Sequence, residues 1–288
     1  MRRIAIMGLG LMGGSLGLAL KRRGGQTSIA GYARRAEVRS AALEGGVVDE
    51  VFSDPAAAVV EAELVVFCVP VLTIPGLVEA CRTQLRPGAI VTDVASTKSE
   101  LVQMVETVLE RSDAAFVGSH PMAGSDETGL QAADKELYDG ATVIVTVRDA
   151  AQAKCGAVAG VAEFWRSVGG NVVLLSPEEH DRVIARTSHL PHIVAAALVN
   201  TVLREELDET ARLCGSGFMD TTRIAAGSEL MWHDIIKTNS ATITRELELF
   251  EDGISRVRSM IEDGDFDSVR NFLAQSRNQR RNAEGGGG

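Results

Sequence analysis

Cysteine is scarce in this chain: Cys68, Cys81, Cys155 and Cys214 lie far apart among 288 residues, without a C-x-x-C pair. That spacing argues against both a disulfide framework and a zinc site, and it fits a reducing, cytoplasmic setting. Basic residues are also in deficit. The 29 Lys and Arg against 39 Asp and Glu give a net charge of −10. No basic stripe with interleaved aromatics occurs, which argues against nucleic-acid partners and requires any anionic substrate to find a local basic pocket. A long apolar run is missing too. The one candidate, Met1 to Leu20 before Lys21-Arg22-Arg23, superficially resembles a signal peptide. It is broken by Gly8, Gly10, Gly13, Gly14 and Gly17 and lacks an A-x-A cleavage site. A soluble protein without membrane partners is expected.

What is present suits a globular protein: 45% apolar and 24% charged residues, in a chain long enough for two domains. Up to about residue 175, short apolar or β-branched runs alternate with helical stretches. The strand candidates are 3–7, 28–32, 64–68, 89–92, 114–117, 142–147 and 171–174. This alternation predicts an α/β fold with a doubly wound, mainly parallel sheet over residues 1–175. From Pro177 the pattern turns helical, starting with a long stretch to about Arg204 in which Pro191 should kink the helix or mark a functional break. An all-helical domain over 176–275 and a disordered glycine-ended tail over 276–288 complete the expected organisation.

The stretch "GLGLMGGSLG" follows the first strand candidate and opens a helix. Gly8, Gly10 and Gly13 form the G-x-G-x-x-G pattern of a Rossmann dinucleotide site: a tight turn, a close approach to the pyrophosphate, and close helix packing. With Leu9, Leu11 and Met12 they are the expected cofactor-binding turn for a nicotinamide or flavin dinucleotide. An acid that would bond the ribose of NAD belongs at the tip of the second strand. "GYARRAEV" has Ala33 there, followed by Arg34 and Arg35. Two guanidiniums without a carboxylate lean the expectation to NADP, with NAD as the alternative.

Two further segments leave strand candidates at the edge where open α/β sheets bind ligands: "VTDVASTK" with Ser96, and "GSHPMAGSDETG" with His120. Taken alone, His120 fits a core or capping histidine better than a catalytic one, and Asp93 and Lys98 fit a turn and a helix-start charge. His189 and His192, three apart on a helix, lack a third ligand at a fixed spacing, so no metal is expected.

Together with "GSLGLAL", "DVASTK", "SHPMAGS", "EEHD", "SHLPH" and "GSGFMDTTRIAAGSELMWHDI", in that order, the chain resembles the prephenate and arogenate dehydrogenases of tyrosine biosynthesis over nearly its whole length. The resemblance implies a Rossmann domain followed by a helical dimerisation domain. It implies that His120 bonds the substrate's ring 4-hydroxyl and that Ser96 lies beside the same hydroxyl. It further implies that Arg223 holds a substrate carboxylate, that His192 and Trp232 line the pocket, and that His180 and Asp181 lie near its mouth. Asp126 falls where the family places a residue close to the substrate side chain, commonly Glu.

Such a reaction takes a hydride from C4 of a cyclohexadienol and loses the C1 carboxylate as carbon dioxide. It needs a base for the hydroxyl proton, and neutral imidazole suits that role, with a rate expected to rise with pH near 6.5. Arginine suits the carboxylate. Prephenate is the leading substrate, with arogenate or use of both as the alternative. A β-hydroxyacid dehydrogenase would need a lysine on the first helix of the second domain, and residues 177–204 contain none. A cofactor-binding redox sensor would not need His120 and Arg223 together. The apolar helical faces of the second domain predict a homodimer. No extension of regulatory-domain size follows the last helix, so any tyrosine inhibition is expected to be competitive at the active site.

Overall fold

The computed structural model describes residues 1–288 except 25, 125–126, 150, 205–207 and 286–288. The strands are β1 (Arg3–Met7), β2 (Ser28–Tyr32), β3 (Glu50–Phe52), β4 (Leu64–Phe67), β5 (Ile90–Asp93), β6 (Ala115–Phe116), β7 (Ser119–Pro121), β8 (Thr142–Thr146) and β9 (Asn171–Leu175). The first six form one parallel sheet in the order β3-β2-β1-β4-β5-β6, the doubly wound arrangement. Alternate residues feed opposite layers. Ile4, Ile6, Leu64 and Val66 join one core with Leu16. Ala5, Met7, Val65 and Phe67 join the other with Val78, Leu101 and Val105. Burial on both faces is why these strands read as continuous apolar runs.

The single sheet implied by the sequence is in fact two. After β6 the chain turns at Gly118, where a Cβ would lie 2.8 Å from Thr146 Oγ1 and 3.1 Å from Lys98 Cδ. It then starts a second sheet, β7-β8-β9, in which β7 runs antiparallel to β8 and β9 parallel to it. Strand β7 escapes sequence reading because it is three residues long and ends in proline, which an edge strand tolerates. Strand β3, also three residues, is missed for its length.

The helices of the first 175 residues are α1 (Leu11–Arg22), α2 (Ala36–Glu44), α3 (Pro55–Ala58), α4 (Ile74–Cys81), α5 (Ser99–Leu109) and α6 (Gly156–Ser167). Next come α7 (Pro177–Ile184), α8 (Leu190–Val202), α9 (Asp208–Leu213), α10 (Ser216–Thr222), α11 (Glu229–Thr238), α12 (Ser240–Glu262) and α13 (Phe266–Gly285). Helix α7 starts on a capping box: Ser176 Oγ accepts from the Glu179 amide at 3.1 Å, and the Glu179 carboxylate accepts from the Ser176 amide at 3.2 Å. The Pro191 break is a π-helical turn, Ala185–His189, after which Pro191 sits in the first turn of α8.

The chain divides into two compact units, Met1–Ser240 and Ala241–Gly288. The first holds both sheets and the helices up to α11; the second holds the α12–α13 hairpin. Of residues 276–288, expected to be disordered, 276–285 continue α13 to Gly285, with no helix breaker before it, and 286–288 lie outside the described residues. Among the described residues no helix is long and apolar enough to cross a membrane.

Candidate active site

The glycine turn between β1 and α1 meets three different steric demands. Gly8 has φ +110°, and a Cβ there would lie 2.5 Å from the Cys68 carbonyl oxygen. A Cβ on Gly13 would come within 1.9 Å of the Gly8 oxygen, so only glycine lets α1 approach the strand. Gly10 has nothing within 4 Å of its missing side chain and caps α1, leaving open space beside free helix amides. That combination fits a dinucleotide pyrophosphate. Leu9 is buried, and the Met12 carbonyl accepts the Tyr138 hydroxyl at 2.7 Å, which secures the turn from below.

At the β2 tip, Ala33 is buried, and Arg39 donates to the carbonyl oxygens of Ala33 (2.9 Å) and Arg34 (2.7 Å). The side chains of Arg34 and Arg35 are exposed.

Beyond the end of β5 lies an open cavity of ≈180 Å³, lined by Ser96, His120, Pro121, Met122, Ala123, Ser188, His189, Met231, Trp232 and Ile235. Ser96 comes from the β5–α5 loop, His120 from β7, Ser188 and His189 from the π turn, and the last three from α11. His120, Ser96 and Trp232 are therefore brought together. His192 sits behind the wall, its ring stacked on Trp232 at 3.5 Å and 13°. Arg223 is exposed, in the short 3-10 turn after α10, and is not part of this lining. Asp126 lies outside the described residues.

His180 and Asp181 do not lie at a mouth: both are buried on α7. His120 Nδ1 is 2.8 Å from His180 Nε2, and His180 Nδ1 is 2.8 Å from Asp181 Oδ1. Asp181 also accepts the amides of Lys98 and Ser99, both at 2.8 Å, where α5 begins. Burial, with His180, Lys98 and His189 nearby, pushes His120 well below the ordinary histidine range. This direction moves the expected acid limb below 6.5. Burial lowers His180 as well, although Asp181 opposes it. For Asp181 burial works against ionisation, yet the bonds from His180 and Ser99 prevail and hold its carboxyl low.

Asp93 and Lys98 are more than a turn and a helix-start charge. They form a fully buried ion pair. Asp93 also accepts the amides of Ser119 (3.0 Å) and Ala95 (2.8 Å), which places Ser119, and with it His120, at the end of β5. Trp165 Nε1 donates to Ser119 Oγ at 2.9 Å from the other side. Sequence reading missed this support because its members are 26 and 46 residues apart. His189 is a further wall residue that the sequence does not single out for this pocket. It is buried, with Nδ1 3.4 Å from the Asn239 amide nitrogen, and burial pulls it down to about 4.

Comparison with known proteins accounts for the arrangement. Residues 16–174 match the model of the prephenate dehydrogenase nucleotide-binding domain, and residues 176–275 that of the prephenate dehydrogenase dimerization domain. The chain is 32% identical to the cyclohexadienyl dehydrogenase of Zymomonas mobilis, covering 97% of this chain and 95% of that one. It is 34% identical to the prephenate dehydrogenase of Bacillus subtilis, over 96% of this chain and 75% of the relative. The crystal structure of prephenate dehydrogenase from Aquifex aeolicus in complex with hydroxyphenyl propionate and NAD+ superposes with a TM-score of 0.91 at 32% identity, covering 98% of each chain. Matched along both its nucleotide-binding and its helical parts, the chain belongs to the prephenate dehydrogenase family.

Proposed function

We propose that this chain is a nicotinamide-dependent dehydrogenase that oxidises prephenate at C4 with loss of the C1 carboxylate, giving 4-hydroxyphenylpyruvate and carbon dioxide. The observation that carries this reading is a buried His120 beside Ser96 on the wall of a cavity beyond the end of β5, on the edge of the parallel sheet where the glycine turn follows β1. A bound dinucleotide on Gly8, Leu9, Gly10, Leu11, Met12 and Gly13 supplies the hydride acceptor. His120 takes the proton of the 4-hydroxyl, and Ser96 holds the same oxygen. The bond to the departing carboxylate returns its electron pair to the ring, which becomes aromatic. Trp232, backed by His192, walls the ring; the likeness to the prephenate dehydrogenases assigns the substrate's side-chain carboxylate to Arg223, which lies outside this lining, and assigns Asp126 to the side chain. Residues 1–175 hold the cofactor. Residues 176–275 complete the substrate site and join two copies in a homodimer, a role that suits the exposed Leu249, Phe250, Ile254, Phe272 and Leu273 of α12 and α13.

NADP is the favoured cofactor: the β2 tip carries no carboxylate, and Arg34 and Arg35 stand exposed next to a turn fixed by Arg39. Use of arogenate beside prephenate is the second reading, supported by the likeness to a cyclohexadienyl dehydrogenase over almost its full length. Mixing the protein with prephenate or arogenate, each with NADP or NAD, and following reduced-nicotinamide absorbance tests both readings. No reduction with any of the four pairs would overturn them.

A further inference from the structure

A general base on imidazole requires one ring nitrogen to be unprotonated and turned to the substrate, and which nitrogen that is depends on what the other one touches. Beside His120 that other contact is a second imidazole, so the proton positions must be followed back to a group whose role is fixed.

That group is Asp181. Its Oδ1 receives the Lys98 amide and its Oδ2 the Ser99 amide, both at 2.8 Å. A backbone N–H can only donate, so both oxygens are acceptors, and the carboxylate sits at the positive end of α5, where negative charge is favoured. His180 Nδ1, 2.8 Å from Oδ1, must then carry the proton and donate it. A neutral imidazole with hydrogen on Nδ1 has a lone pair on Nε2. His120 Nδ1 lies 2.8 Å from that lone pair and must donate in turn. What remains is His120 Nε2, without a proton, on a residue that lines the cavity.

We infer that His180 and Asp181 are positioning residues that hold His120 in its Nδ1–H tautomer and so leave Nε2 free to accept the substrate's hydroxyl proton. The inference rests on the reading of His120 as the base. It gives "EEHD" a task that its place on a buried helix would not suggest: α7 carries the tautomer lock, and its Asp181 finds its own reference in the first amides of α5. The charge formed when His120 accepts a proton is answered through the same chain, since the Nδ1–H bond to His180 becomes charge-assisted and Asp181 lies behind it. Among the described residues the titratable groups that act on His120 are His180 on α7, His189 on the π turn and Lys98 at the β5–α5 junction, and those that act on His180 in turn include Asp181 and Asp93. Among the described residues, His180 and Asp181 form the hydrogen-bonded chain to its ring.

The direct test is the 15N spectrum of histidine-labelled wild-type protein, in which protonated and unprotonated ring nitrogens resonate far apart. His120 should show hydrogen on Nδ1 and none on Nε2 near neutral pH. A proton on Nε2 would overturn the inference without any variant being made. His180→Leu removes the acceptor; it should release the tautomer and lower kcat by about 10² to 10⁴, the usual worth of a positioned base, with KM changed less than about threefold. His180→Gln, whose amide oxygen can again accept from Nδ1, should recover part of that loss and the tautomer with it. A purely structural His180 would lower thermal stability in His180→Leu and leave kcat and the tautomer of the folded variant unchanged, which would also overturn the inference. If the tautomer is as inferred but His120→Asn retains the wild-type rate, the base assignment fails and the lock stands.

Discussion

At the residue scale, the site is built from side chains whose usual solution behaviour has been altered by burial. Because His120 is held well below the ordinary histidine range, mainly by desolvation, its neutral form persists into acid. The acid limb of kcat/KM is therefore expected clearly below pH 6.5, with activity rising as pH increases through it and staying level above. His120→Asn keeps a polar group of similar size but cannot accept the proton. Its kcat should fall by about 10² to 10⁴ and the acid limb should vanish; a pH–rate profile of the folded variant checks both. Lys98 poses a different test. Desolvation lowers its pKa while Asp93 opposes the shift, and the pair is sealed from solvent. Lys98→Met leaves Asp93 charged and unpaired beneath Ser119, and removing one partner of a buried pair costs about 3 to 5 kcal/mol. Urea denaturation measures this, and a loss under about 1 kcal/mol would mean that the amides of Ala95 and Ser119 suffice for Asp93.

At the scale of elements, the loops after β1, β2 and β5 divide the labour. The first turn is shaped by what cannot be there, since a Cβ on Gly8 or Gly13 would strike backbone. The second is where the proposed cofactor choice would be made. Ala33→Asp places a carboxylate at the β2 tip, where it would bond a ribose hydroxyl and repel a phosphate. The ratio of kcat/KM for NADP to that for NAD should fall by at least about tenfold, corresponding to roughly 1.4 kcal/mol of discrimination. An unchanged ratio would leave Arg34 and Arg35 to solvent. The π turn before Pro191 is an element-scale answer to a residue-scale problem. Proline cannot donate an amide inside a helix, and the widened turn absorbs that defect while delivering Ser188 and His189 to the cavity wall.

For the whole molecule, four buried histidines, at 120, 180, 189 and 192, are all shifted downwards, each chiefly by desolvation. Each binds its proton more readily in the unfolded chain, where the pKa is near 6.5. Their neutral burial therefore stabilises the fold fully above that value, and stability is lost as pH falls. For His189, with its pKa at about 4, the window runs from 6.5 down to that value. That residue alone corresponds to about 3 kcal/mol. Melting temperature should fall steeply between pH 6.5 and 4 in the wild type, and less steeply in His189→Phe. Equal slopes would remove His189 from the account.

Much of this organisation was legible along the chain. The glycine turn follows from local backbone sterics, the parallel sheet from apolar runs buried on both faces, and the helical segment from composition and proline placement. Each depends on neighbours a few residues away, so a linear sequence carries it. Ser96 and His120 stand out along the chain as leaving strand-like runs, but only the resemblance to the prephenate and arogenate dehydrogenases gives them a role. The rest depended on groups that meet only in three dimensions. The second sheet arises because Gly118 redirects the chain. The Asp93–Lys98 pair and Trp165 support His120 across 26 to 46 residues, and the lock on its tautomer comes from α7, sixty residues further on. No period or motif encodes which imidazole nitrogen bears a proton. Only the contacts of the folded chain decide that, because a hydrogen-bond role is set by the partner and not by the residue itself.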